Sequence, residues 1–326
     1  MRADAIGRPA TLRWRRMLAG NAGLLIVLLL LVAMLAIGAA MDAKFRSFGN
    51  LANVFEQSTG LALISLGQTL TILTGGIDLA VGSLISLIIC LTAGLLDGDG
   101  TYLYPIVAGM LALGVAVGLI NGLGVVVLRI HPLIITLGMG AILQGVTLLY
   151  ALGPVGSVPD GFDNLAYGTF GPLPAAATVT VVLYVLVALF LRHTRFGRYI
   201  YAVGDDATAA KLMGLPRTQV ILFVYGFSGL FAAATAIYLV ARFGSGQPYA
   251  GANYTLASIT PVVVGGTVLS GGRGGVIGTL FGTYLVSLLN NLLNFLDVDT
   301  YTQLMVQGLI IILAVSVYVE KRRGLA

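Results

Sequence analysis

Apolar residues in this chain come in long runs, and polar residues gather at the joints between them. Ten such runs can be drawn, at 20–40, 52–74, 79–96, 102–128, 132–151, 174–191, 218–241, 255–271, 274–295 and 301–319. An α-helix needs roughly 20 apolar residues to cross the hydrocarbon core of a bilayer, and the runs cluster around that length. The pattern predicts an all-α, polytopic membrane protein of about ten transmembrane helices, forming a single domain over 1–326. Two joints are weak: one Asp separates the second run from the third, and a glycine cluster separates the eighth from the ninth. The second of these joints reads equally as a re-entrant bend, so eight or nine crossings also fit.

Composition agrees with the pattern. Hydrophobic residues make up 58% of the chain and charged residues 10%, with a mean hydropathy of +0.97. A soluble globule must cover itself with polar surface and does not reach that ratio. Cationic residues flanking the runs fix the expected orientation, because they concentrate on the cytoplasmic side of a membrane. With both termini inside, only Lys44, Arg46 and Arg242 of the 18 basic residues fall outside. Asp42, Asp97, Asp99, Asp160, Asp163, Asp297 and Asp299 fall outside as well. The net charge of +5 is then a product of topology and indicates no nucleic-acid partner.

The polar segments expected are a cytoplasmic tail at 1–19, an outer loop at 152–173 and a cytoplasmic loop at 192–217. The basic start, apolar run and small residues near Ala39-Ala40 imitate a secretory signal, but the stretch from Leu18 to Met41 is too long and further runs follow. Cys90 is the single cysteine; it reads as a small packing residue within an apolar run. There is no phosphate-binding loop, since Gly271-Gly272-Arg273-Gly274-Gly275 lacks the lysine that would reach a phosphate. No Cys/His/Asp cluster stands at metal-ligand spacing. Any use of ATP is therefore assigned to another chain.

Two motifs carry mechanism. In LTGGIDLAVGS, Leu73 to Ser83, the pair Gly75-Gly76 interrupts an apolar helical pattern and Asp78 follows. An acid near membrane depth needs a partner or a cavity; alternatively, Asp78 caps the N-terminus of the next helix at a cytoplasmic turn. A second Gly pair, Gly265-Gly266, follows the apolar run VVV, so the two halves show a faint internal repeat. In the 192–217 loop, Ala207 to Met213 reads as a short helix, with Asp205 and Asp206 at its start, Gly214 at its C-cap and Pro216 beyond. Such a helix suits docking into a groove of another protein; as a plain basic loop it would instead lie against anionic headgroups.

Taken in order, TGGIDLAVGS, LINGLGVVV, HPLIITLGM, TRFGRYIYAVG, the A-K-L-M-G helix, GSGQPYAG, VVVGGTVLSGGRGGVIGTLFG and LLNNLLNFL resemble the integral-membrane permease subunit of ribose-type bacterial ABC sugar importers. The likeness runs from about Leu51 to Val319. It implies a type II-like importer permease in the bacterial inner membrane, N-in and C-in, that performs no covalent chemistry. It further implies a second permease chain, identical or closely related, an extracytoplasmic solute-binding protein that delivers a sugar, and a cytoplasmic ATPase. ATP and Mg would sit on that ATPase, with no cofactor on this chain. By the same resemblance Ala207, Thr208, Ala209, Ala210, Lys211, Leu212 and Gly214 form a coupling helix on the ATPase, with any acidic contact supplied by Asp205 or Asp206. Relatives often carry Glu-Ala-Ala at that start and Tyr-Glu-Leu-Asp after Gln-Pro-x-Ala-Gly. Here the residues are Ala207-Thr208-Ala209 and Tyr254-Thr255-Leu256-Ala257, so substrate or binding protein differs from the ribose case.

The amides within the apolar runs, Gln68, Asn121, Gln144, Asn290, Asn291 and Asn294, both donate and accept hydrogen bonds, as a hydroxylated neutral solute requires. Each also reads as interhelical glue worth about 1 kcal/mol. Asn290 and Asn294 are four apart and share a helix face; with Gln68, Asp78 and Asn121 they are the expected pathway residues. A stand-alone secondary transporter or channel is the alternative function, but ion coupling calls for several intramembrane ionisable residues, and the chain offers Asp78 and Glu56. A membrane-embedded enzyme would need a nucleophile with a base, or a metal constellation, and neither is present.

Overall fold

The computed structural model describes residues 22–299, 301–306, 308–310 and 312. The tail at 1–19, parts of the run at 301–319 and Lys321-Arg322-Arg323 lie outside the described residues. Helices follow one another along the chain: α1 (Ala22–Met41), α2 (Phe48–Leu73), α3 (Val81–Leu96), α4 (Leu103–Val126) and α5 (Pro132–Tyr150). A short α6 (Asn164–Tyr167) and a two-stranded hairpin, Thr169–Phe170 antiparallel to Leu173–Pro174, occupy the 152–173 loop. Then come α7 (Ala175–His193), α8 (Arg195–Asp205), α9 (Ala207–Leu212), α10 (Arg217–Phe243), α11 (Tyr254–Ala257), α12 (Ile259–Val264) and α13 (Val276–Phe295). Among the described residues α1, α4, α5, α7, α10 and α13, six helices, are long and apolar enough to cross a membrane.

The other expected runs depart from a simple crossing for physical reasons. Helix α2 has 26 residues, and every residue from Ser58 to Leu73 is buried. Its polar positions, among them Ser65, Gln68 and Thr69, face protein on all sides. Helix α3 has 16 residues, about 24 Å at 1.5 Å per residue, which is short of a roughly 30 Å hydrocarbon core. The run at 255–271 is broken. Pro261 has no N–H to offer the carbonyl of Ala257, and the helix stops at Gly265-Gly266, where Gly266 has φ 92.

Helices α2 and α10 form the centre, with α3, α4, α7 and α13 packed around them. Close approach of α4 to α10 comes from Gly114, Gly118 and Gly122, spaced four apart on one face. A Cβ at Gly118 would strike the Tyr225 carbonyl, and one at Gly229 would strike that of Gly114. Small residues at such a seam let backbones pack where no hydrophobic drive separates helix from lipid. Helix α1 packs on α13 at the edge, where buried Phe45 meets Phe295 edge-to-face at 5.4 Å. Large apolar side chains of α1, α4, α5 and α7, such as Leu29, Ile120, Leu149 and Val182, are exposed, as a lipid-facing belt requires.

Candidate functional site

The segment 74–80 between α2 and α3 is irregular, and its backbone is tied down locally. Gly75 N–H donates to Ile72 O at 2.9 Å and Gly76 N–H to Thr71 O at 3.0 Å. Gly75 has φ 78, which favours glycine. Asp78 then turns inward and is 2% exposed. Its Oδ2 accepts from Ser228 Oγ of α10 at 2.9 Å. Its Oδ1 accepts from Ala80 N–H at 3.1 Å and, more weakly, from Asn121 Nδ2 of α4 at 3.5 Å. Thr136 Oγ1 of α5 reaches the Ile77 carbonyl at 3.3 Å. Asp78 thus gathers α4 and α10 onto the break; its bond to the Ala80 N–H lies just before α3, whose first turn has no side-chain cap.

The second break meets the first. Leu73, at the end of α2, has a carbonyl that no longer finds a partner within its own helix, and Gly272 N–H donates to it at 3.0 Å. Gly204, in the last turn of α8, completes a three-way junction. A Cβ there would overlap Leu73 O and come within 2.7 Å of Gly272 N. A Cβ on Gly271 would lie 2.7 Å from both Gly204 O and Gly75 N. Tyr201 Oη, one turn earlier on α8, donates to the Gly274 carbonyl at 3.1 Å. The two segments of the faint repeat thus touch each other, and α8 touches both. Gly265, at φ −65, needs no left-handed backbone; its missing side chain admits Gly278 of α13.

Two helices, not one, occupy the 192–217 loop. Arg195 to Asp205 looks basic and loop-like in sequence, yet it folds as α8, with Thr194 Oγ1 accepting from Gly197 N–H at 2.9 Å and Gly197, Ile200 and Val203 buried on one face. Asp205 ends α8, and Asp206 alone caps α9, its Oδ1 accepting from Thr208 N–H at 2.8 Å and Ala209 N–H at 2.9 Å. Gly214 has φ 72, and Leu215 N–H returns to Ala210 O at 3.0 Å, closing the helix as expected. Ala210 is buried and anchors α9. Ala207, Thr208, Lys211 and Gly214 are exposed, and Ala209 is half-buried. Leu212 and Met213 stand 85% and 69% exposed. Met213 belongs to this surface although the coupling residues read from sequence omit it.

The amides divide sharply. Asn50 and Asn291 exchange hydrogen bonds at 3.0 Å in both directions, joining α2 to α13. Asn294 is exposed, and its Oδ1 accepts from Gln303 Nε2 at 2.7 Å. Asn290 is half-buried on the same helix. Gln144 Nε2 donates to Pro248 O at 3.2 Å, helping to hold GSGQPYAG, whose Gly246 also bridges to Val155 of the 152–173 loop. Gln68 differs from all of these. It is fully buried on α2, and among the described residues neither its Oε1 nor its Nε2 has a partner. Among the described residues no group of three or more His, Cys, Asp or Glu could hold a metal ion.

Comparisons with known proteins agree with the sequence resemblance. Residues 50–315 match the family model described as branched-chain amino acid transport system / permease component. The ribose import permease protein RbsC of Escherichia coli K12 is 40% identical over 302 residues, covering 90% of this chain and 93% of that protein. RbsC of Bacillus subtilis is 37% identical over 278 residues, with 84% and 86% covered. The fructose import permease protein FrcC of Rhizobium meliloti is 33% identical over 305 residues, with 89% and 83% covered. No solved structure matches. With nearly its whole helical body matched, the chain belongs to this family of transport-system permease components.

Proposed function

We propose that the chain is the membrane permease subunit of an ATP-driven importer for a sugar or similar small polyhydroxylated solute. The carrying observation is the junction at Gly204, where the helix leading into an exposed, capped docking helix rests on both helix breaks. Force applied at Leu212 and Met213 has a short backbone route to the segments flanking Asp78 and Gly272. The family description speaks of amino acids, while the named relatives import sugars. The interior favours a sugar: Asp78 is the one charged residue among the described buried polar side chains, and its oxygens already have protein donors. A zwitterion would need charged partners of its own, as would the ion coupling of a secondary transporter.

The partners follow from the same reading. A cytoplasmic ATPase, carrying ATP and Mg, receives Ala207 to Gly214, and this chain binds no nucleotide. A second permease chain, identical or closely related, completes the pathway. A solute-binding protein docks outside, on the surface where the 152–173 loop is pinned to Gly246. The chain crosses a bacterial inner membrane about ten times in a type II-like arrangement with both termini inside, α2, α3 and α11–α12 forming its inner, partly discontinuous crossings. Copurification from detergent with the neighbouring genes coexpressed tests this. An ATPase subunit is expected, lost when Ala207–Gly214 becomes a Gly-Ser stretch that still inserts. Nucleotide-independent solute movement by a complex without any ATPase overturns the reading.

A further inference from the structure

Hydroxyls buried in these helices normally bond back to a carbonyl of the preceding turn. Thr69 does so to Ser65 O at 2.6 Å, Thr92 to Ile88 O at 2.7 Å and Thr235 to Phe231 O at 2.8 Å. Among the described residues eight buried side-chain atoms have no partner; besides Thr59 Oγ1, Asn121 Oδ1, Arg217 Nε and Tyr225 Oη, four of them lie in the second half of α2 and on α12. Ser65 Oγ, Gln68 Oε1, Gln68 Nε2 and Thr260 Oγ1 are buried and have no partner. Ser65 and Gln68 are 0% exposed and Thr260 1%. A buried polar group without a partner forfeits its hydration and gains nothing in return, so such groups are rare and call for an explanation.

Two of the residues share a face. Ser65, Gln68 and Ile72 fall at i, i+3 and i+7, one face of α2. Ile72 packs with Ile259, Val262 and Val263, so that face is turned to α12; Thr260 follows Ile259 on α12, beside the packed face. Helix α12 is six residues long, follows directly on the turn of α11 through Ser258, and ends at Gly265-Gly266. Among the described residues no hydrogen bond from a side chain ties it to α2. The neighbouring face of α2 behaves differently: Thr69 Oγ1 and Thr279 Oγ1 of α13 are bonded at 2.9 Å.

We propose that Ser65, Gln68 and Thr260 form a hydroxyl-recognition station at the α2–α12 seam, completed by the solute once α12 parts from α2. The proposal rests on the permease reading and gives it a site. The ligand class follows from the groups. An amide offers two donors and two acceptor lone pairs, each hydroxyl offers one donor and two more lone pairs, and none carries charge. Vicinal hydroxyls of a neutral sugar match that set. The adjacent Ile72, Val262 and Val263 suit the C–H face of a sugar ring.

The test compares Gln68→Met and Thr260→Val with Thr69→Val, in the complete transporter reconstituted in liposomes with its ATPase and binding protein. Uptake of D-ribose, D-fructose, D-allose and D-galactose is measured beside the melting temperature. Removing an unpartnered polar group in favour of an apolar one of similar shape is close to neutral for folding. Gln68→Met and Thr260→Val are therefore expected to keep or raise the melting temperature while uptake falls about ten-fold or more. Thr69→Val, which removes a partnered hydroxyl, is expected to lower the melting temperature and to leave uptake per folded transporter unchanged. Undiminished uptake by Gln68→Met, or a lowered melting temperature in it, overturns the station alone. A wild type that moves none of the four sugars with ATP overturns the sugar reading and the station with it.

Discussion

Replacing Gly204 by alanine is the sharpest test of the link between the exposed helix and the helix breaks. The added methyl would overlap the Leu73 carbonyl oxygen and lie 2.7 Å from Gly272 N and 2.9 Å from Leu73 C. All three are backbone atoms, so no rotamer change relieves the overlap. Either α8 moves away or the Gly272 N–H to Leu73 O bond of 3.0 Å breaks. Overpacking of this kind costs about 1–3 kcal/mol, and a broken buried hydrogen bond adds about 1 kcal/mol. A total of about 2–4 kcal/mol is expected as a fall in stability, read from thermal unfolding of the purified complex in detergent. On the proposed coupling route, the surviving folded transporter is also expected to hydrolyse ATP with less uptake per turnover. A Gly204→Ala protein with wild-type melting and wild-type uptake per ATP would refute the argument, since the methyl would then have found room without disturbing either break.

Asp78→Ala removes the acceptor of Ser228, the Ala80 N–H and, more weakly, Asn121 in a buried site, and about 2–5 kcal/mol of destabilisation is expected from the orphaned donors; unfolding in detergent reads it, and Asp78→Asn is expected to lose less. Met213→Glu places an acid on an exposed apolar surface, so folding is unaffected within about 0.5 kcal/mol while copurification of the ATPase weakens at least several-fold. Gly118→Val drives a branched side chain into the Tyr225 backbone, and a loss of about 3 kcal/mol or failed insertion is expected from expression and gel filtration.

The helices legible in the sequence are those long and apolar enough to cross a membrane. For α1, α4, α5, α7, α10 and α13 length and composition suffice. The cap at Asp206 and the stop at Gly214 are legible too, because capping chemistry is local and residue types announce it. Helix α8 is not. Its two glycines and its aromatics carry weak helix propensity, and the helix forms because Gly197, Ile200 and Val203 find a buried face, Gly197 against Leu191. The same holds for Gly204: nothing near it in sequence signals that Leu73 and Gly272 arrive against it. Helical spacing places Asn290 and Asn294 on one face correctly. It does not show that Gln303 takes the Asn294 carbonyl, or that Asn291 pairs with Asn50, 241 residues away.

The polar interior contains two kinds of site, and the contrast assigns their roles. Around Asp78 the carboxylate is met by α10, α4 and the entry to α3, so separating those elements breaks several hydrogen bonds at once, while Asn121 Oδ1 and Tyr225 Oη beside it have no partner among the described residues. That group behaves as a fixed point. At the α2–α12 seam only apolar packing joins the two segments. Separating them exposes polar atoms that were unsatisfied beforehand, and hydration of those atoms offsets part of the cost of parting the apolar side chains. A transporter alternates between states of comparable free energy, and an element whose closed form leaves polar groups unpartnered is biased toward opening. Helix α12 has that property and α3 does not. The junction at Gly204 lies where the two meet, with Gly75 leading toward the fixed point and Gly271-Gly272 leading back to α12. On the proposed coupling route, a push delivered through α8 would fall on one anchored segment and one free one, and so would move α12 against α2.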